Sequence, residues 1–282
     1  MFGASWAVLL GASFSLSRIL LGYLVLLPAH LSVSYSNDYF DVDVDKYGKP
    51  TFVSGGSGVL VDHPGLRKHA HWTAIALIFC SLALGVVFSM VYSFSIWFMC
   101  FVVMGNLLGW FYSAPPLRLA YRGLGELSMI FTIGLLIPGL GYLVTNGQIN
   151  QDGLLFMVPL MLYGLAFILA VEIPDMESDR LGNKRTWVAR KGRSFGFTAI
   201  TISFLLATLF FLNIPRLTTR IYPVDFHILA ILSLMPLGVG CFGTLKKRIE
   251  KRSATRVVYG IMIALAIFCI MVDGYLIYLA LR

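Results

Sequence analysis

Residues 18–45 read RILLGYLVLLPAHLSVSYSNDYFDVDVD, an apolar run that ends in Asn37 and four aspartates. A helix needs roughly 20 apolar residues to cross a bilayer, and 18–36 supplies them. Similar runs fall at 2–16, 70–92, 95–113, 124–145, 153–172, 195–213, 226–244 and 256–280. The expected fold is therefore all-α, a multi-pass transmembrane bundle of nine helices forming a single domain over 1–282. The runs are too long for outer-membrane strands, which take about ten residues of alternating polarity.

Composition agrees. Of 282 residues, 58% are apolar and 13% charged, whereas a soluble domain carries about a quarter charged residues; the mean hydropathy is +0.80. Too little chain is left for a receptor-style ectodomain or for a large enzyme on a single anchor. Cys80, Cys100, Cys241 and Cys269 all lie in apolar runs with no CxxC, a pattern of neither a disulfide framework nor a zinc site. The first run has no basic segment or cleavage site of a signal peptide. It is also short for a span, so the start of its helix, or a basic segment ahead of it, is expected to be missing or unusual.

The net charge is +8, which in a soluble protein would suggest nucleic acid. Here it reads as orientation, with the lipid bilayer as partner and no nucleic acid. Of the 22 Lys and Arg, 18 follow the second, fourth, sixth and eighth runs, leaving Arg18, Arg216, Arg220 and Arg282 on the other side. The positive-inside rule puts the four even loops in the cytoplasm of a cell-membrane protein and the C-terminus outside.

Eleven of the 14 acids lie on the same side. If the helix continues through them, Asp38, Asp41 and Asp45 project from one face at i, i+3 and i+7, with Asn37 beside Asp41. Glu172, Asp175, Glu177 and Asp179 form a second group, in which Asp175 and Asp179 share a face. Like charges at this spacing repel, and desolvation at the edge of an apolar bundle raises the cost. All-oxygen clusters without His or Cys match a hard divalent cation, and a few carboxylates suit Mg2+, which keeps its waters and bridges to phosphate. The alternative is that these are solvated loop acids pairing with Lys46, Lys49, Lys184 and Arg185. Lys46 and Lys49 follow the first cluster, and Arg180, Lys184 and Arg185 the second. Carboxylates for metal plus cations for anion oxygens make a diphosphate site. With no GxxxxGK[ST] nucleotide motif, a lipid diphosphate is the expected ligand.

At these residues the chain resembles the UbiA superfamily of intramembrane prenyltransferases. Asn37-Asp38-x-x-Asp41-x-x-x-Asp45 resembles its first aspartate motif. Asp175-x-x-x-Asp179 and the tail Arg180-Leu181-Gly182-Asn183-Lys184-Arg185-Thr186 resemble the second. Tyr112-Ser113-Ala114-Pro115-Pro116-Leu117-Arg118-Leu119 is similar to a third signature. Gly55-Gly56-Ser57-Gly58-Val59-Leu60 and Gly123-Leu124-Gly125-Glu126 look more like the branch that prenylates 1,4-dihydroxy-2-naphthoate for menaquinone than the 4-hydroxybenzoate or haem O branches. Departures are Ala120, where the third signature often ends in Lys, and Glu172, where Asn or Asp is usual. The basic residue usual before the first span has no counterpart.

The resemblance implies a bundle with a central cavity open to the cytoplasm, and Mg2+-dependent transfer of a prenyl group from an isoprenyl diphosphate to an aromatic acceptor. Asp38, Asp41 and Asp45 would hold one Mg2+, and Asp175 and Asp179 another, with Asp38, Asp41, Asp175 and Asp179 catalytic. Asn37 would be a further ligand or orienter. Lys184 and Arg185 would contact the diphosphate, joined by Lys46 and Arg118. Phe40, Trp110 and Tyr112 are the candidate aromatic faces. Asn106, Gly109, Trp110 and Ser113 share one face of the fourth span, where Asn106 either lines the acceptor site or makes an interhelical hydrogen bond. Asp273 is expected to be a paired or snorkelling acid. Gly134, Pro138, Gly139 and Gly141 suggest a kink or close contact opening a lateral route for the isoprenoid tail. The rival readings are a 4-hydroxybenzoate or geranylgeranylglyceryl-phosphate enzyme and, outside the enzymes, a transporter, against which the acids gather at one membrane face rather than at mid-bilayer.

Overall fold

In a computed structural model of the chain, every regular element among the described residues is helical. The described residues are 1–218, 220–246 and 250–282, so Lys247 and Arg248, two of the orientation charges, lie outside them. The main helices are α1 (Phe2–Leu9), α2 (Leu16–Asp45), α3 (Arg67–Tyr92), α4 (Ile96–Ser113), α5 (Gly125–Asn146), α6 (Gln151–Leu181), α7 (Arg193–Leu217), α8 (Phe226–Leu245) and α9 (Lys251–Ala280). Helices α2 to α9 are the eight among the described residues that are long and apolar enough to span a membrane. The first apolar run forms only α1, about 12 Å long at 1.5 Å per residue, and stops before Gly11, whose φ is +95°.

The chain packs as two compact units. The first comprises 1–19, 129–170 and 193–282. In it α1 lies directly on α5: a Cβ at Gly3 would stand 1.7 Å from the Pro138 carbonyl oxygen, and one at Gly134 would stand 2.2 Å from the Met161 Cα in α6. These glycines serve backbone approach, the close contact that was one of the two expectations for the Gly/Pro cluster, and a π-helical turn falls at Thr132–Leu136, just before Pro138. Trp6 stacks on Phe156 at 4.5 Å. Thr208 and Ser233 hydrogen-bond between α7 and α8 at 2.7 Å. Asp273 is a paired acid, accepting from the Ser5 hydroxyl at 2.9 Å.

The second unit, residues 20–128 and 171–192, carries both aspartate motifs. Its outer surface exposes Phe79, Met90, Ile96 and Trp97, as a lipid-facing surface requires. Inside, the Asn106 Nδ2 donates to the Ser81 Oγ at 3.2 Å and to the Val102 carbonyl at 2.9 Å. Ser81 in turn donates to the Val25 carbonyl at 2.9 Å. Asn106 thus ties α4 to α3 and, through Ser81, to α2, the interhelical bond that was one of its two expected roles.

Candidate active site

Close backbone contact brings the two motifs together. A Cβ at Gly182, just past the end of α6, would stand 2.5 Å from a Val44 methyl at the end of α2. Beyond Gly182 the chain turns at Asn183, whose φ of 59° is left-handed, a conformation that Asn tolerates better than most residues. That turn places the Lys184 N–H on the Asp179 carbonyl at 2.8 Å and sends the side chain back toward the first motif.

There the Lys184 ammonium meets the Asp41 Oδ2 at 2.8 Å, with the two side chains 13% and 6% exposed. Ser113 donates to the same oxygen at 2.7 Å, and the Tyr121 hydroxyl to Oδ1 at 2.7 Å. Burial opposes the charge on Lys184, yet the Asp41 and Asp179 carboxylates outweigh it and hold its pKa above the ordinary lysine range. Burial, and then the Asp41 charge, push the Tyr121 phenol up, so it stays a donor. Arg118, at a left-handed φ of 44°, lays its guanidinium over the Tyr121 ring at 4.0 Å.

Around this centre, Asp45 lies within electrostatic range of Asp38, Asp41, Asp175 and Lys184, and Asp179 within range of Asp175, Asp41 and Lys184. Thr186 donates to the Asp179 Oδ2 at 3.1 Å and caps the short helix Trp187–Lys191. The Tyr112 phenol lies within electrostatic range of Glu172, Lys184, Asp179 and Glu126. Glu126 and Glu172 are buried and adjoin each other. Glu126 accepts from the Trp187 backbone N–H, and Glu172 from that of Val188 at 3.5 Å.

The structure therefore gathers Asp38, Asp41, Asp45, Tyr112, Arg118, Asp175, Asp179 and Lys184, with Asn37 one residue before Asp38 on α2. Arg185 lines a neighbouring pocket of about 570 Å³ with Arg122, Arg180, Lys184 and Arg190. One expected residue is placed elsewhere: Lys46 is exposed and pairs with Asp43 at 2.6 Å. Asn106 makes the bridge described above and also lines a cavity with Trp110 and Phe111. Phe40 and Trp110 meet edge to face at 5.3 Å, joined by His71 at 6.3 and 5.9 Å. The sequence marks Ser113, on the polar face of α4, but does not single out Ser57, Tyr121, Thr186 or His71; Ser57 and Thr186 lie inside the quoted motifs, so position alone is a signal for them.

The donor set suits a hard cation. Among the described residues no three His, Cys, Asp or Glu side chains form a ready metal-holding group. The carboxylates are instead arranged around an ammonium, and the buried Asn37 Oδ1, next to Asp38, has no hydrogen-bond partner. An unpaired oxygen beside carboxylates that already face a cation is chemistry that fits Mg2+.

The sequence matches the profile of the UbiA prenyltransferase family over residues 1–253. It is 27% identical over 178 residues to the 1,4-dihydroxy-2-naphthoate octaprenyltransferase of Bacillus subtilis, covering 63% of this chain and 56% of the relative. With the 2-carboxy-1,4-naphthoquinone phytyltransferase of Synechocystis it shares 27% identity over 99 residues, 34% of this chain and 31% of the relative. The match thus spans little more than half the length of the first of these proteins and about a third of the second. In structure the chain resembles a UbiA homologue from Archaeoglobus fulgidus bound to GPP and Mg2+, with a TM-score of 0.69, 16% identity and coverage of 98% of this chain and 95% of that one. The same homologue bound to DMAPP and Mg2+ aligns equally well, at 0.69. At this identity the likeness shows the fold.

Proposed function

Because this chain belongs to the UbiA prenyltransferase family, we propose that it transfers a prenyl group from an isoprenyl diphosphate to an aromatic acceptor, with 1,4-dihydroxy-2-naphthoate as that acceptor. The observation that carries this reading is the convergence of both aspartate motifs on one enclosed ammonium, Lys184.

Asp38 and Asp45 with Asn37 on one side, and Asp175 and Asp179 on the other, would hold Mg2+. Asp41 keeps one side of that set fixed through its bonds to Ser113, Tyr121 and Lys184. When bound, Mg2+ supplies Lewis-acid neutralisation of the departing diphosphate. As the allylic carbon–oxygen bond breaks, its electron pair goes to the diphosphate oxygen. Lys184 and Arg185, which line one pocket with Arg122 and Arg190, would take up that negative charge. Phe40 and Trp110, beside the first motif, offer π faces and keep water from the cationic carbon until the acceptor ring attacks it, after which the attacked ring carbon sheds its proton or carboxylate group and the ring regains aromaticity. The even loops, and with them both motifs, face the cytoplasm by their charge.

The naphthoate acceptor is supported by the two naphthoate- and naphthoquinone-prenylating relatives. The test is a radiolabelled geranylgeranyl diphosphate assay in detergent with Mg2+ and three acceptors offered separately. Label is expected on 1,4-dihydroxy-2-naphthoate. Label only on 4-hydroxybenzoate or geranylgeranylglyceryl phosphate would overturn the acceptor assignment. Ion flux through proteoliposomes without any prenylated product would favour the transporter reading.

A further inference from the structure

We propose that loop 51–58 holds the outer aspartates of the first motif in place, with Ser57 as the positioning residue of Asp38 and Gly56 as the position that lets the loop close on Asp45. The proposal rests on reading Asp38 and Asp45 as metal ligands.

Ser57 takes both oxygens of one carboxylate. Its backbone N–H donates to the Asp38 Oδ1 at 3.2 Å, and its hydroxyl donates to Oδ2. The hydroxyl oxygen accepts in turn from the Val59 N–H at 3.2 Å, which orients it at the start of the short helix Val59–Asp62. Gly56 has a φ of +62°, and a Cβ there would fall 2.5 Å from the Asp45 Oδ2 and 3.2 Å from the Asp38 Oδ1. One backbone position therefore lies against both carboxylates, and a side chain there would strain the left-handed backbone and push the Asp45 carboxylate aside. The loop also has its own base. Thr51 accepts from the Ser54 N–H at 3.0 Å, and the Thr51 N–H donates to the Ser54 carbonyl at 2.7 Å.

Asp41, between these two aspartates in sequence, is held from the other side by Ser113, Tyr121 and Lys184. The motif is thus gripped twice, by the bundle at its centre and by the loop at its ends. A carboxylate has about four lone-pair sites, so two donors orient Asp38 and leave directions open for a cation. Removing such an outer partner from a metal ligand typically costs about 10–100-fold in affinity.

The test is Mn2+ titrated into the full-length protein in detergent, with free Mn2+ read by electron paramagnetic resonance. Ser57→Ala is expected to weaken binding about 10–100-fold with an unchanged melting temperature. Ser57→Thr, which keeps the hydroxyl, should bind close to wild type, and Gly56→Ala should bind more weakly. Wild-type affinity in Ser57→Ala, or binding by Ser57→Thr as weak as by Ser57→Ala, overturns the positioning role. Asp38→Asn separates the two claims: unchanged Mn2+ binding there removes Asp38 from the metal site itself, whereas weakened binding there beside a wild-type Ser57→Ala removes only Ser57.

Discussion

Asp41→Ala should lower prenyl transfer on the order of 10²–10³-fold and should also destabilise the fold. The Asp41 carboxylate receives three donors, Lys184 at 2.8 Å and Ser113 and Tyr121 at 2.7 Å each. Deleting it leaves the Lys184 ammonium enclosed without its nearest counter-charge, and breaking a buried pair from one side costs about 3–5 kcal/mol. The two effects separate in a double variant. Asp41→Asn combined with Lys184→Met removes both charges together, so thermal melting in detergent should recover most of the lost stability. Activity should not return, because the double variant lacks both the anchor of the first motif and a cation for the leaving group. Wild-type turnover in Asp41→Ala would remove Asp41 from the site.

The second large effect is expected at Glu126, whose side chain is 0% exposed. Its carboxylate accepts the backbone N–H of Trp187, and Glu172 beside it accepts that of Val188. Together they fasten the segment just after Lys184 and Arg185. Glu126→Ala strands a buried N–H, which costs about 1–3 kcal/mol, and frees the two cations to drift. The expected outcome is a lower melting temperature and a KM for the isoprenyl diphosphate raised about tenfold, the ratio that corresponds to 1.4 kcal/mol of lost binding. Glu126→Gln keeps an acceptor oxygen and should recover most of both. Equal KM values for wild type and Glu126→Ala would limit the pair to a purely structural role.

Much of this architecture is legible in the sequence, because apolar run length and charge placement are local properties. The eight long helices and the meeting of two acidic clusters follow from them. The first run reads as apolar and short for a span, but its end at Leu9, before the left-handed Gly11, is not legible from hydropathy. What spacing does not reveal is the partner a polar side chain finds far along the chain. Asp41 meets Ser113 and Tyr121 across 72 and 80 residues, a register set by how α2 and α4 pack. Lys46, three residues from Asp43, takes that near partner instead of the diphosphate side. Asn106 was legible as a polar residue in a span, while its tie to Ser81 depended on the facing helix. Ser57 lay within a glycine stretch read only for its likeness to one branch of the family. Its grip on Asp38 follows from successive left-handed glycines, Gly55 and Gly56, folding the loop back onto α2.

In the proposed reaction the two carboxylate clusters act through a divalent cation to release diphosphate and transfer the prenyl group. The direct measurement is labelled product formed from geranylgeranyl diphosphate and 1,4-dihydroxy-2-naphthoate, first with Mg2+, then after EDTA, then after Mg2+ is restored. Transfer should vanish with EDTA and return with Mg2+, and Asp175→Ala should reduce it by orders of magnitude on the scale of a lost charge-stabilising group. Undiminished transfer in EDTA, or full activity in Asp175→Ala, would contradict the account.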